Sequence, residues 1–423
     1  MLTRVTLIHC ARCAAAAAFV SGCGNGFGSG PSDELRSRLE SLGLSAETTY
    51  QEAAANDLLE LAEPIEFHDA LEVIGGSIGA PDDVDVFDFG PVQEGDRVLV
   101  SLSAAESLKS AIAIFDESGS ALLVNDHQNV YLGIQGPFVD VIFRRPSRQC
   151  FVAVTSTPGF NTRGDYVLGA SIDAGAAIPD PRADTILLDF EGGVGIRVGT
   201  RPAVDVPVFD AADIGSSYDG ATESLTREIV RRVREDFAGL NVTILSTSEG
   251  DQPSESVSRV HFGAVDNALL GVAEGVDEYN AMRGQRAIVY TESFAAFSRL
   301  SPSVAEMSQA IANVASHEIG HLLGLVHTQD ASDIMDVTAS LNQLLRDQTF
   351  GKSPIYRIVF PIGYQDSAQL LFDSVGGDPI EFYGFLKHRE WVRARAMFDP
   401  DEPPARASST LSSCGCGGGE AKR

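Results

Sequence analysis

Basic residues are scarce in this chain. Its 423 residues include 31 lysines and arginines against 59 acidic residues, which gives a formal net charge of -28. This balance argues against nucleic acid as a partner, because neutralising phosphates requires clustered basic side chains. The acidic residues are spread along the chain, so solubility is the simplest role for the excess charge.

Cysteine is also scarce, and the 6 cysteines are too few for a small scaffold held together by disulfides. Cys10 and Cys13 lie near the N-terminus. Cys150 lies in a strand-like run, where we expect a buried and unreactive thiol. Cys414 and Cys416 lie in a glycine-rich tail, where a disulfide or a weak metal site is conceivable but the lack of any function is the simpler interpretation.

Long apolar runs are missing as well. A membrane-spanning helix takes about 20 apolar residues, and no run after residue 22 reaches that length. Residues 1–22 combine Arg4 and Arg12 with a short apolar stretch at residues 14–20. This combination is typical of a targeting segment that is removed from the mature protein.

The four residues Val-Ser-Gly-Cys at positions 20–23 resemble a bacterial lipobox. The resemblance implies cleavage before Cys23, a lipid on its thiol, and an extracytoplasmic protein anchored to a bacterial membrane. The alternative is an ordinary cleaved signal and a free, secreted protein. Residues 23–66 would form a glycine- and serine-rich tether followed by a short helical segment.

Residues 67–174 contain several short β-rich runs separated by turn signals, a spacing that predicts a β-sandwich. The region resembles the bacterial pre-peptidase C-terminal domain in three places, namely Asp-Val-Asp-Val-Phe at 83–87, Phe-Asp-x-x-Gly at 115–119 and Gly-Asp-Tyr at 164–166. Such a module often accompanies secreted peptidases.

Four acidic residues in the turns of this region, Asp82, Asp83, Asp85 and Asp116, could bind Ca²⁺. Solvated turn carboxylates are the simpler interpretation, because aspartate is a common turn residue for conformational reasons alone.

A second domain is predicted at residues 185–400, after a proline-containing linker at 175–184. It begins with a strand, continues with an amphipathic helix at 222–237 that would back a sheet, and contains further strands. Residues 401–423 have the composition of a disordered tail. The fold class expected is therefore multidomain, with an N-terminal β-sandwich followed by an α+β domain.

Three histidines, a glutamate and a glycine stand at fixed offsets in this second domain. A catalytic zinc site takes three protein ligands and keeps one position open. His317 and His321 are four residues apart and share one helical face, where both can bind one metal. Glu318, on the flank of that face, can reach a water at the metal without being a ligand. Gly324 can end the helix and return the chain so that His327 becomes the third ligand.

The pattern H-E-x-x-H-x-x-G-x-x-H, followed by a methionine at Met335, resembles the metzincin clan of zinc endopeptidases. The resemblance implies that Met335 forms a hydrophobic floor under the zinc. The loop spacing and Thr328 look most like the matrixin branch. Two features differ: Val337 stands where some branches carry an aromatic residue, and no prodomain cysteine switch of the matrixin kind is visible.

The metzincin resemblance also implies a twisted sheet with a backing helix and an active-site helix, which the capping-box sequence at residues 303–306 would start. Residues 286–290 are then the candidate edge strand beside the substrate cleft. An edge strand has unpaired backbone groups that can hold an extended peptide. The sequence does not indicate the specificity pockets or the oligomeric state.

The predicted function is a zinc-dependent endopeptidase that acts on extracytoplasmic polypeptides, with Glu318 as general base. Two alternatives stay open. One is a non-catalytic adhesion or scaffold lipoprotein that contains zinc, although the presence of Glu318 argues against it. The other is a zinc amidase that acts on non-peptide amides.

Overall fold

The computed structural model describes residues 50–52, 56–68, 71–105, 107–126, 136–253 and 256–397. The predictions about the targeting segment, Cys23, the tether and the tail with Cys414 and Cys416 lie outside the described residues. Within them, none of the helices has the length and apolar character needed to cross a membrane.

The N-terminal part folds into two five-stranded sheets. The strands of the first sheet, in spatial order, are β1 (Tyr50–Gln51), β3 (Glu72–Ile78), β10 (Gly164–Asp173), β5 (Arg97–Ala104) and β8 (Phe138–Ile142). Those of the second are β2 (Glu63–Pro64), β4 (Val84–Asp88), β9 (Phe151–Ser156), β6 (Ser110–Phe115) and β7 (Ala121–Asn125). Because β1 and β2 belong to these sheets, the sheets begin before residue 67.

The two sheets differ in which residues along their strands are buried. Along β5, Val98, Val100 and Leu102 are buried and the residues between them are partly exposed, so that one face meets the core. All positions of β6 and β9 are buried. The second sheet is therefore covered on both faces, and its outer face packs against Ile355 and Phe360 of the C-terminal part. Cys150 is buried and free, as the sequence predicted.

The C-terminal part is built on a third five-stranded sheet. In spatial order its strands are β14 (Val242–Ser246), β11 (Asp184–Asp189), β15 (Ser258–Phe262), β17 (Arg286–Val289) and β16 (Gly271–Ala273). The first four strands run parallel to one another, and β16 pairs with β17 in the antiparallel direction. Two small hairpins complete the strands, β12 (Gly193–Ile196) with β13 (Val204–Val206) and β18 (Lys352–Pro354) with β19 (Tyr364–Asp366).

Within the residues that the structure describes, the α-helices all lie in this part. They are α1 (Thr222–Asp236), α2 (Val304–Leu322), α3 (Leu341–Leu344), α4 (Ser367–Val375) and α5 (Pro379–Met397). Short 3₁₀ segments span Leu59–Leu61, Ala211–Asp213, Ser216–Tyr218, Thr247–Glu249, Glu278–Asn280 and Thr291–Leu300. The sheet with its backing helix α1 and central helix α2 is the α+β arrangement that the sequence predicted.

The position of β17 corrects one prediction. Residues 286–290 were expected to form the edge of the sheet, but β17 lies between β15 and β16. The edge beside α2 is formed by β16, which contains only Gly271, Val272 and Ala273. Three small residues without alternation gave no strand signal in the sequence.

Helix α2 runs through the middle of the domain. It begins with a complete capping box, in which Ser303 Oγ accepts from Glu306 N and the Glu306 side chain accepts from Ser303 N. From Met307 to its end every residue is buried. The polar residues of its last two turns are therefore enclosed by protein.

A buried ion-pair network ties α5 to this helix. The Arg389 guanidinium donates to Asp236 Oδ1 at 2.7 Å and also pairs with Asp347. The other Asp236 oxygen accepts from Ser316 Oγ at 2.5 Å, one residue before His317. Burial raises the pKa of Asp236 to about 6, a shift that the Arg389 charge opposes.

We expect Arg389→Met to lower the free energy of unfolding by about 3–5 kcal/mol, because it leaves a buried carboxylate without its partner. Urea denaturation followed by circular dichroism measures the loss. Arg227→Met serves as a control, since the Arg227–Glu223 pair is exposed and such pairs contribute about 0–1 kcal/mol. Adding Asp236→Asn should restore much of the stability; equal losses in the control and in Arg389→Met would contradict this interpretation.

Candidate metal centre

The three histidines of the motif converge in the structure. His317 and His321 lie one turn apart near the end of α2, and the chain then reverses and brings His327 back to them. One nitrogen from each ring lies within 4.8 Å of the others, and all three side chains are buried. Within the described residues, no other group of three or more histidine, cysteine or acidic side chains is placed to hold an ion.

The reversal depends on Gly324. Its φ of +102° is in the region that side chains rarely adopt. A Cβ atom here would lie 3.0 Å from the carbonyl oxygen of Asp277. The same Asp277 donates its N–H to the carbonyl of His321 at 2.9 Å, so the loop around Asp277 closes the helix end. The positive φ therefore favours glycine at this position, and the close approach of the Asp277 carbonyl adds to that preference.

Backbone carbonyls orient two of the rings. His317 Nδ1 lies 2.7 Å from Ile334 O, and His321 Nδ1 lies 2.8 Å from Leu325 O. Since a carbonyl can only accept, the proton of each neutral ring is on Nδ1 and the lone pair is on Nε2. Burial lowers the pKa of His317 well below its ordinary value and that of His321 to about 4, so both rings are neutral at pH 7.

The arrangement of the Nε2 atoms fits a metal ion. Nε2 of His317 is buried without a hydrogen-bond partner, and Nε2 of His321 faces Nε2 of His327 at 3.0 Å. Most buried polar atoms in proteins have a hydrogen-bond partner. Three converging imidazoles, two of them fixed by hydrogen bonds from Nδ1 to backbone carbonyls, are the donor set that zinc takes.

Glu318 is fully buried, and both of its carboxylate oxygens lack a hydrogen-bond partner. Burial raises the pKa of its carboxyl group well above the ordinary range. A cation held by the neighbouring histidines would favour the ionised form. The carboxylate is not a member of the ligand group.

Met335 lies beneath the same turn of α2. It is fully buried, and a Cβ atom on Gly320 would come 2.5 Å from its sulfur. Gly320 thus lets the methionine approach the helix between His317 and His321. We assigned no role to Gly320 from the sequence, although a glycine inside a helix is a signal for such a close contact.

The edge strand β16 passes beside Glu318. A side chain at Gly271 would clash with the Glu318 carboxylate. Tyr290 N donates to Leu270 O at 2.8 Å, and Glu274 N donates to Arg286 O of β17 at 2.9 Å. Hydrogen-bonded and non-hydrogen-bonded residue pairs alternate along an antiparallel pair of strands. The N–H and C=O groups of Gly271 and Ala273 therefore point away from β17. All three residues of β16 are buried, so these groups are enclosed by protein on the side next to the glutamate.

Among the described residues, the acidic residues considered for Ca²⁺ do not converge into a group that could hold an ion. Asp85 is buried in the sandwich, accepts from Tyr166 Oη at 2.6 Å, and has its pKa raised by burial to about 8, so it is mostly protonated at pH 7. Asp83 and Asp116 accept hydrogen bonds from backbone N–H groups of their own turns, and Asp82 is exposed. A Ca²⁺ site at these residues stays a prediction.

The sequence model of the matrixin family matches residues 251–351. This range contains the three histidines, Glu318 and Met335, but it is well under half of the chain. The match therefore shows a similarity to matrixins over the candidate site. No curated protein matches the chain.

Three solved structures are similar over parts of the chain. Archaemetzincin from Methanopyrus kandleri is 15% identical, with 40% of this chain and 87% of that chain covered and a TM-score of 0.23. The pre-peptidase C-terminal domain of collagenase from Bacillus anthracis is 18% identical, with 26% of this chain and 94% of that chain covered and a TM-score of 0.20. The periplasmic lysozyme inhibitor PliG from Aeromonas hydrophila is 12% identical, with 30% of this chain and 100% of that chain covered and a TM-score of 0.22. Likenesses of this size have no bearing on the function of the chain.

We expect Gly320→Ala to destabilise the protein by about 1–3 kcal/mol, because the added methyl group overpacks the contact with Met335. Gly384→Ala in α5 is a matched control, since nothing lies within 4 Å of its position; there the better helix propensity of alanine should stabilise by up to about 1 kcal/mol. Thermal unfolding measures both. If Met335→Ala did not relieve the effect of Gly320→Ala, the proposed contact would be wrong.

Proposed function

We propose that this protein is a zinc-dependent endopeptidase that hydrolyses peptide bonds of extracytoplasmic polypeptides. The observation that carries the proposal is the combination of three converging, buried imidazoles with a buried carboxylate that has no hydrogen-bond partner. The matrixin match over residues 251–351 supports the same conclusion. An adhesion or scaffold role would have no use for Glu318 at this place.

His317, His321 and His327 are the proposed zinc ligands. When bound in a site with three protein ligands, zinc polarises a carbonyl group and brings the pKa of a water to about 7. The outer hydrogen bonds from Nδ1 of His317 and His321 keep Nε2 aimed at the centre. Met335 closes the site from below with an apolar surface.

Glu318 is the proposed general base. Its carboxylate accepts the proton of the attacking water and then delivers this proton to the nitrogen of the leaving amine. The lack of any competing hydrogen bond leaves both oxygens available for that transfer. Its position beside Gly271 places it at the edge of the sheet.

The edge formed by β16 is the proposed binding edge for substrate. Because its three residues are buried, the groups that cover them have to move before a polypeptide can pair with Gly271 and Ala273. An extended polypeptide can add to an exposed strand through main-chain hydrogen bonds, which are independent of the side chains of the substrate. The absence of a side chain at Gly271 keeps space for the carboxylate. This edge favours peptide substrates over small non-peptide amides, which lack a backbone to pair with it.

The location outside the cytoplasm is proposed from the N-terminal sequence. A lipid on Cys23 would anchor the protein to a bacterial membrane, and the glycine- and serine-rich residues that follow would act as a tether. Its net charge of -28 agrees with polypeptide rather than nucleic acid as the partner.

We expect Glu318→Gln to lower kcat/KM on unstructured polypeptide substrates by about 10²–10⁴-fold, the usual contribution of a general base, while the zinc content stays unchanged. Cleavage of a denatured protein and metal analysis of the same sample provide the two readouts. Glu223→Gln, at an exposed position of α1, is the matched control and should keep full activity. Undiminished cleavage by Glu318→Gln would show that another group is the base.

A further inference from the structure

The third zinc ligand is carried by a strand-like stretch at residues 325–329, which we call the ligand strand. It lies between the turn that contains Met335 and a second stretch at residues 352–366, which we call the clamp segment. Thr328 N donates to Met335 O at 2.9 Å on one side. On the other side, Tyr356 N donates to the carbonyl of His327 itself at 2.9 Å.

The side chain of Gln365, in the clamp segment, forms hydrogen bonds with the ligand strand. Its Oε1 accepts from Val326 N at 2.7 Å, and its Nε2 donates to Val326 O at 2.8 Å. Both backbone groups of the residue before His327 are thus satisfied by one amide. Gln365 is 2% exposed, and Nε2 also donates to Ser367 Oγ at 3.1 Å, which fixes the orientation of the amide.

The clamp segment is in turn fixed to the β-sandwich. Phe360 and Ile355 are buried against the outer face of the second sheet, and the rings of Phe360 and Phe115 have centroids 5.9 Å apart. Gly363, with a φ of +87°, lies so close to Phe115 that any side chain would clash with the ring. Tyr364 N donates to Gly119 O of the sandwich at 2.9 Å.

We propose that Gln365 is a positioning residue for the metal site and that the sandwich, through the clamp segment, holds the third ligand in place. The inference rests on the proposed zinc site. Its physical basis is that the ligand strand has no helix or sheet of its own to fix it. The hydrogen bonds from the clamp segment fix the ligand strand instead, and the contact with the second sheet keeps the clamp segment in place.

Gln365→Met tests the first half of the proposal, because methionine has a similar length but cannot bond Val326. Substitution of a residue that orients a metal ligand typically lowers metal affinity by about 10- to 100-fold. We therefore expect the zinc Kd to rise by that factor. Competition with a chromophoric chelator gives the Kd without any peptide cleavage. Phe360→Leu tests the second half and should also raise the Kd, by a smaller factor.

Gln369→Met is the matched control. Gln369 lies on α4, and its side chain bonds Asp373 and the Tyr383 hydroxyl instead of the ligand strand. Its zinc Kd should equal that of the wild type. The zinc-induced rise of the melting temperature provides a second readout, because tighter binding to the folded state gives a larger rise. This rise should shrink for Gln365→Met and stay unchanged for Gln369→Met.

Three results would overturn the proposal. One is an unchanged zinc Kd in both Gln365→Met and Phe360→Leu. Another is an equal loss of affinity in Gln369→Met, which would indicate general loosening. A lower melting temperature of metal-free Gln365→Met with an unaltered Kd would show a structural role alone. A wild-type protein that bound no zinc would instead refute the proposed function, and with it the basis of this inference.

Discussion

The burial of four polar side chains at the end of α2 is the constraint on which the rest of the structure depends. Three imidazoles and one carboxylate lie inside the protein, and several of their atoms have no protein partner. An unsatisfied buried polar group costs free energy, and a buried charge costs more. A bound cation would satisfy the lone pairs of the histidines and favour the ionised form of Glu318 at the same time.

The surrounding fold brings these groups together and keeps them there. The capping box and the buried network of Arg389 fix α2 and the region before His317. Gly324 permits the reversal, and the clamp segment holds the returning strand. The sandwich supports the clamp segment, so two parts of the chain that look separate in sequence act on one site.

The convergence of the three histidines could be predicted from the sequence because their spacing follows from helix geometry. His317 and His321 at i and i+4, Gly324 as the helix end and Met335 after the turn are local features. The edge strand could not be predicted, since β16 has three small residues and its place is set by pairing with β17. Gln365 and Arg389 act over long sequence distances, and a single sequence carries no local signal for such contacts. The burial of both faces of β6 and β9 likewise depends on a docking event between distant segments.

The most direct test of the central claim is X-ray absorption spectroscopy at the zinc edge of the purified protein. We predict one zinc per chain with three imidazole nitrogens and a remaining light-atom ligand, at distances of about 2.0–2.2 Å. The His327→Ala protein should show one imidazole fewer, or no zinc. A spectrum with sulfur ligands, or zinc well below one per chain after reconstitution, would contradict the assignment.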